Sequence, residues 1–398
     1  MITRRNILSS MAAAGALSVW DSPLSAAFAA APGEHRFVFV ILRGALDGLS
    51  AVPPYGDPDY APIRGGLALA KTGTTPLQDL DGFFGLNPAL VNLKSYYEAK
   101  QLVVFHNICT PYRDRSHFDG QNVMETGATT PNVMHDGWLN RALLAMGAKN
   151  GLEALAVAPT PPLVLTGKAR VTSWMPDTLP EPDDAYFARV QALYAKDKML
   201  GGALQSALAL RAQAKAAMDD PSGKQKPKVD LIPLFQGAGR LLAAPEGPRV
   251  AVLDASGWDT HINEGAGDGQ LARRLSALDA ALDAMKAALG PVWNQTAIVV
   301  ATEFGRTVHV NGNGGTDHGT GGAAFLLGGA VAGGRVEAEW MGLKPAVLKD
   351  GRDLPARTDL RAVFKTVLAE HMGVSRRALN GSVFPESAEA KPFRGLIA

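Results

Sequence analysis

The run HRFVFVILRG, His35 to Gly44, constrains the fold more than any other stretch of this chain. A strand with one wet face alternates apolar and polar residues, and this one does not. Such a strand must be covered on both faces, which requires a layer on each side of a sheet. LVVFHNI from Leu102, RVAVLDA from Arg249, TAIVVATEFG from Thr296 and GAAFLLGG from Gly322 read the same way. Helical stretches separate them. Leu90, Leu93 and Tyr97 share one side of a helix within Asn87–Gln101. Leu271, Leu275, Leu278, Leu282, Met285 and Leu289 mark a long helix stopped by Gly290 and Pro291. DLRAVFKTVLAEHMG forms a late helix closed by Gly373. Alternating strands and helices predict an α/β fold, a three-layer α/β/α sandwich with a mainly parallel sheet. The Ala-, Lys- and Gln-rich stretch Gly201–Lys228 reads as an exposed helix plus linker inserted in the fold.

The first residues are a different text. MITRRNILSSMAAAGALSVWDSPLSAAFAA carries paired arginines, Arg4 and Arg5, then a short Ala-rich apolar stretch and small residues at Ala27–Ala29. This pattern predicts a twin-arginine signal over residues 1–29, followed by one domain over 30–398. It implies passage through the twin-arginine export machinery to a periplasmic or secreted location. The apolar stretch is shorter than the roughly 18 residues that span a bilayer, so no membrane span is expected in the mature chain. Lys+Arg 39 against Asp+Glu 38 leaves a net charge of +1, which gives no reason to expect nucleic acid as a partner. The single cysteine, Cys109, excludes an intramolecular disulfide.

Ligands of parallel α/β sheets bind at the carboxyl ends of the strands. The first strand is followed by Asp47. The second is followed by Asp114, Arg115, Ser116, His117 and Asp119, the third by Asp259 and His261, and the fourth by Glu303 and Arg306. The fifth is preceded by Asp317 and His318. Carboxylate mixed with imidazole suits a divalent metal, Zn or Mn rather than Ca or Mg.

RGALDGL, YRDRSHFDGQ, GWDTH, TEFGRT, GTDHG and TDLRAVFKTVLAEHMGV together resemble the domain-of-unknown-function 1501 family, from about His35 to Gly373. That family comprises exported, mostly bacterial proteins and is similar to the alkaline phosphatase and sulfatase superfamily. The resemblance implies an alkaline phosphatase-like fold, one or two metals at the strand ends, and cleavage of phosphate or sulfate esters. It places metal ligands on Asp47, Asp259, His261, Glu303 and His318, with Asp317 a substitute ligand. Phe304 stands where those superfamilies carry an imidazole, a departure from a full two-metal set.

CTPYR, beginning at Cys109, has the letters of a sulfatase nucleophile motif. In those enzymes the nucleophile lies nine residues before a Thr-Gly on the following helix. Counting back from Thr126-Gly127, nine residues give His117 and ten give Ser116, whereas Cys109 is seventeen back. The resemblance therefore favours Ser116 as nucleophile at a helix N-terminus, with His117 and Arg115 beside it, and reads Cys109 as a buried strand residue. The expected function is an exported metal-dependent hydrolase acting on a small anionic ester. The alternative is a non-catalytic, metal-binding envelope or assembly protein on the same fold. A cofactor-dependent oxidoreductase is disfavoured, because no G-x-G-x-x-G follows the first strand and a single cysteine gives no set for an iron–sulfur cluster.

Overall fold

The computed structural model describes residues 34–148, 154–176 and 230–398, with scattered positions between 190 and 209. The leader-like residues 1–29 lie outside the described residues. So does most of Gly201–Lys228, of which 201, 202 and 204–209 are described and helical. Eleven strands are described: β1 (Arg36–Arg43), β2 (Gln78–Asp79), β3 (Gly85–Leu86), β4 (Leu102–Cys109), β5 (Ala154–Val157), β6 (Thr172–Ser173), β7 (Val250–Ser256), β8 (Thr296–Thr302), β9 (Gly322–Leu327), β10 (Arg335–Ala338) and β11 (Thr358–Asp359). Nine of them form one sheet in the order β10-β4-β9-β8-β1-β7-β5-β6, with β11 also on β4; β2 and β3 make a separate hairpin.

All neighbours in the large sheet are parallel except β9, which runs against both β4 and β8. The mainly parallel sheet expected from the buried runs is present. The four short strands β5, β6, β10 and β11 were not among those runs, because two to four residues carry no usable period.

β1 shows why its sequence is apolar from Phe37 to Leu42. Val38, Val40 and Leu42 pack on one face against helices over Val91–Glu98 (α1), Leu231–Ala243 (α2) and Gln270–Leu289 (α3). Phe37, Phe39 and Ile41 pack on the other against helices over Trp138–Ala145 (α4) and Leu360–Thr366 (α5). Each residue from Phe37 to Leu42 thus enters one of two cores, and no polar position is left between the two terminal arginines. The long helix α3 ends at Gly290, whose φ of 54° is a positive value that a side chain resists. The late helix is shorter than expected: it begins at an Asp359 cap, loses α-helical geometry after Thr366, and continues as a π turn over Val367–His371. Among the described residues no helix is long and apolar enough to cross a membrane.

Candidate metal centre

Four segments meet at the carboxyl edge of the sheet. After β4 the chain turns through Arg115, a non-glycine residue with φ 65°, into a helix over His117–Thr126. β7 leads into the segment with Asp259 and His261, and β8 into Glu303 and Arg306. Asp317 and His318 precede β9 in the chain. They reach the same edge because β9 is antiparallel, so its start lies where its neighbours end.

Two glycines permit this convergence. A Cβ on Gly44 would stand 2.7 Å from the Asp259 backbone nitrogen, and one on Gly120 would stand 2.9 Å from the Phe304 ring. The first lets the Asp259 segment lie against the end of β1. The second lets the helix sit down on Phe304, which stacks on the His117 ring at 5.0 Å.

Nε2 of His117 and Nε2 of His261 each lie 3.0 Å from Nε2 of His318. Asp259 Oδ1 is 3.0 Å from His261 Nε2 and 3.2 Å from His318 Nε2, and its Oδ2 is 3.5 Å from His117 Nε2. The ligand atoms of His117, Asp259 and His318 all fall within 4.8 Å of one another.

The opposite nitrogen of each ring meets an acceptor. His117 Nδ1 is 2.8 Å from Glu303 Oε1, His261 Nδ1 is 3.1 Å from Asp317 Oδ1, and His318 Nδ1 is 2.9 Å from the Arg115 carbonyl. An acceptor at Nδ1 fixes the proton there and leaves a lone pair on Nε2. The Nε2 atoms of His117 and His261 then both face that of His318, beside the Asp259 carboxylate. That set calls for a cation. Bonds of about 2.0–2.1 Å to a tetrahedral ion would separate its ligands by about 3.3 Å, close to the 3.0–3.5 Å found here. His117, Asp259 and His318 fit a divalent metal.

The charges around the cluster are set by their partners. Burial alone would raise the Glu303 carboxyl, but hydrogen bonds from His117 and Gln121 outweigh it and hold it below its ordinary range. The same Glu303 hydrogen bond raises His117. Burial, then the neighbouring His117, lowers His318 and favours its neutral, ligating form. Burial also pushes Asp259 upward, and Arg306 overcomes it. The Arg306 side chain is fully buried and donates to Asp259 and to the Thr316 hydroxyl and carbonyl.

The residues singled out in the sequence divide by position. Asp259, His261 and His318 place their atoms in the cluster, and so does His117, which was expected beside the nucleophile. Glu303 and Asp317, expected as ligands, stand one step out and hold the imidazoles of His117 and His261. Asp47 is placed differently from the expectation. It caps the short helix Gly48–Ala51, accepting from Leu49 and Ser50 N–H groups, and its other oxygen is paired with the fully buried Arg64. Arg115 is likewise committed, its guanidinium pairing with Asp353 at 2.7 Å and Asp350 at 3.0 Å, while its carbonyl orients His318. Ser116 is the half-buried N-cap residue of the His117–Thr126 helix, and its hydroxyl does not cap that helix.

Cys109 is 2% exposed, packed among Ala45, Tyr112, Val123 and Phe304, and burial pushes its thiol up. Thr260, Glu264 and Thr316, buried beside the cluster, were not singled out. A lone Thr or Glu carries no sequence signal of such a position.

A model of the family described as "Protein of unknown function (DUF1501)" matches residues 105–383. No curated protein matches the sequence. Among solved structures, the chain is similar to the C-terminal periplasmic domain of EcEptC from Escherichia coli in complex with Zn. Identity there is 11% and the TM-score 0.37, over 74% of this chain and 73% of that one. It is similar to the phosphonate monoester hydrolase of Agrobacterium radiobacter at 11% identity and TM-score 0.38, over 85% and 74%. A TAB5 alkaline phosphatase mutant with Mg bound gives 12% identity and TM-score 0.35, over 74% and 90%.

Proposed function

The chain belongs to the DUF1501 family, and from that premise we propose that it is a metal-dependent hydrolase of phosphate or sulfate esters. The observation that carries this reading is the meeting of His117 and His318 Nε2 with the Asp259 carboxylate, His261 adjoining, at a sheet edge open to solvent, where Asp259 is 41% exposed. His117, Asp259 and His318, with His261 adjoining, would hold a divalent ion, which would supply Lewis acidity toward an anionic ester oxygen. The helix that starts at His117 adds its own term. Its first turn has N–H groups without intrahelical partners, next to the cluster, and these attract an anion. Ser116, at that N-terminus, is the proposed nucleophile. The paired Arg4 and Arg5 support export by the twin-arginine route, so Lys at both positions should leave a full-length precursor in the cytoplasm; normal export of that variant counts against the route.

A specific observation favours a second reading, a non-catalytic metal-binding protein. Asp47, the carboxylate that the resemblance assigns to a metal, is spent on Arg64. One experiment separates the two. Purified protein is assayed for bound zinc or manganese and for turnover of aryl phosphate and aryl sulfate. Metal and turnover, with turnover lost in Ser116→Ala and metal retained, supports the hydrolase. Metal without turnover supports the second reading. Absence of metal, with His318→Ala behaving as wild type, refutes both.

A further inference from the structure

Behind the cluster lies a fully buried group of polar side chains: Asp47, Ser50, Arg64, Glu264, Thr260 and Thr316. Glu264 stands at its centre. Its Oε2 accepts from the Thr260 hydroxyl at 2.9 Å and from the Thr316 hydroxyl at 2.8 Å. Thr260 lies between Asp259 and His261, and Thr316 directly precedes Asp317 and His318. One carboxyl oxygen therefore ties together the two segments that carry three of the four cluster side chains. Thr316 passes the tie onward, since its hydroxyl also receives Arg306 Nε, whose guanidinium holds Asp259.

The other oxygen reports where a proton sits. Ser50 Oγ is 2.9 Å from Glu264 Oε1, 3.1 Å from Asp47 Oδ2 and 2.7 Å from Arg64 Nη2. A serine hydroxyl has one proton and two acceptor sites. Arg64 fills one acceptor site, and the single proton cannot serve two ionised carboxylates. Every contact is satisfied if Ser50 donates to Asp47 and receives a proton from Glu264. Arg64 Nη2 pairs directly with Asp47 and stands farther off, 3.8 Å, from Glu264 Oε1, so Asp47 is the ionised partner and the proton belongs on Glu264. Burial and the nearby Asp47 act the same way, pushing the Glu264 carboxyl up to about 8.

We propose that Glu264 is a positioning residue of the metal centre, a neutral carboxylic acid that clasps the Asp259–His261 and Asp317–His318 segments through Thr260 and Thr316. This rests on the metal-centre reading for its consequence, but not for the clasp itself.

The test uses Glu264→Gln, Glu264→Leu and Thr260→Val, with Asp279→Ala as a control. Asp279 is buried elsewhere, where it caps the helix over Val91–Glu98. Two quantities are read: zinc affinity by chelator competition, and amide hydrogen exchange of residues 257–269 and 307–320 without metal. Gln is an isostere of a neutral carboxyl, donating to Ser50 and accepting from both threonines, so it should match wild type in both. Glu264→Leu should lose about 10–100-fold in zinc affinity and exchange faster in both segments. Thr260→Val should move the same way by less, and it decides the matter if the Leu variant does not fold. The control should lower Tm and leave zinc affinity unchanged.

Equal exchange in wild type, Leu and Val variants overturns the clasp. A Gln variant as impaired as the Leu variant overturns the neutral acid. Wild-type protein that binds no zinc refutes the metal reading alone, and the exchange data then still decide the clasp.

Discussion

Nδ1 of His117 and Oε1 of Glu303 lie 2.8 Å apart, although 186 residues separate them in the chain. Glu303 is fully buried and is held from three further sides, by the Gly44 N–H, the Gln121 amide and the Thr302 hydroxyl. It is a fixed point, and His117 turns its Nε2 toward the cluster because its Nδ1 is anchored there. Glu303→Ala should therefore weaken zinc binding by about 10–100-fold without loss of secondary structure. Chelator competition and circular dichroism check this; an unchanged affinity would contradict the anchoring role.

Cys109 should be chemically quiet. Its thiol is buried and its acidity is suppressed by that burial, and only the thiolate reacts readily. Alkylation of the native protein should proceed far more slowly than in urea. Cys109→Ala should keep its zinc and any aryl-ester turnover. Loss of turnover with zinc retained would make the sulfatase-like letters a working motif.

Arg64 and Asp47 form a buried ion pair, with both side chains at or near zero exposure. Removing one partner leaves an uncompensated charge, so Arg64→Met should cost about 3–5 kcal/mol. Adding Asp47→Asn should recover part of it. Urea unfolding of the two variants measures the difference, and a double variant no more stable than the single one would argue against the pairing.

His106 and His371 are buried away from the cluster, and burial lowers both to about 4. Each is neutral in the fold and near 6.5 when unfolded. Between about 4 and 6.5 the unfolded chain takes up more protons, so stability falls as pH falls through that window. The full shift corresponds to about 3 kcal/mol for each group. The stability difference between wild type and His371→Gln, in metal-free protein, should shrink from pH 7 to pH 4.5. A constant difference would show that His371 does not titrate this way.

The sequence by itself determined the layers and the edge that carries the site. Runs such as Phe37–Leu42 have no polar position to expose, so both faces of the sheet must be covered, and the polar residues at the strand ends have one edge to occupy. Asp259, His261 and His318 were legible for that reason. What each polar residue does at that edge was decided only by the tertiary structure. Asp47 and Asp259 are both strand-end aspartates in the sequence. One is buried against Arg64 and the other lies open among three imidazoles. Glu303 and His117 likewise exchanged expected places, the carboxylate one step back and the imidazole forward, because Gly120 lets the helix settle on Phe304. Glu264 had no signal at all, since its role lies in two hydroxyls that reach it across a packed interior. Local pattern fixes which face of an element is buried; which buried polar atoms meet depends on distances between elements far apart in the chain, and no short-range rule encodes them.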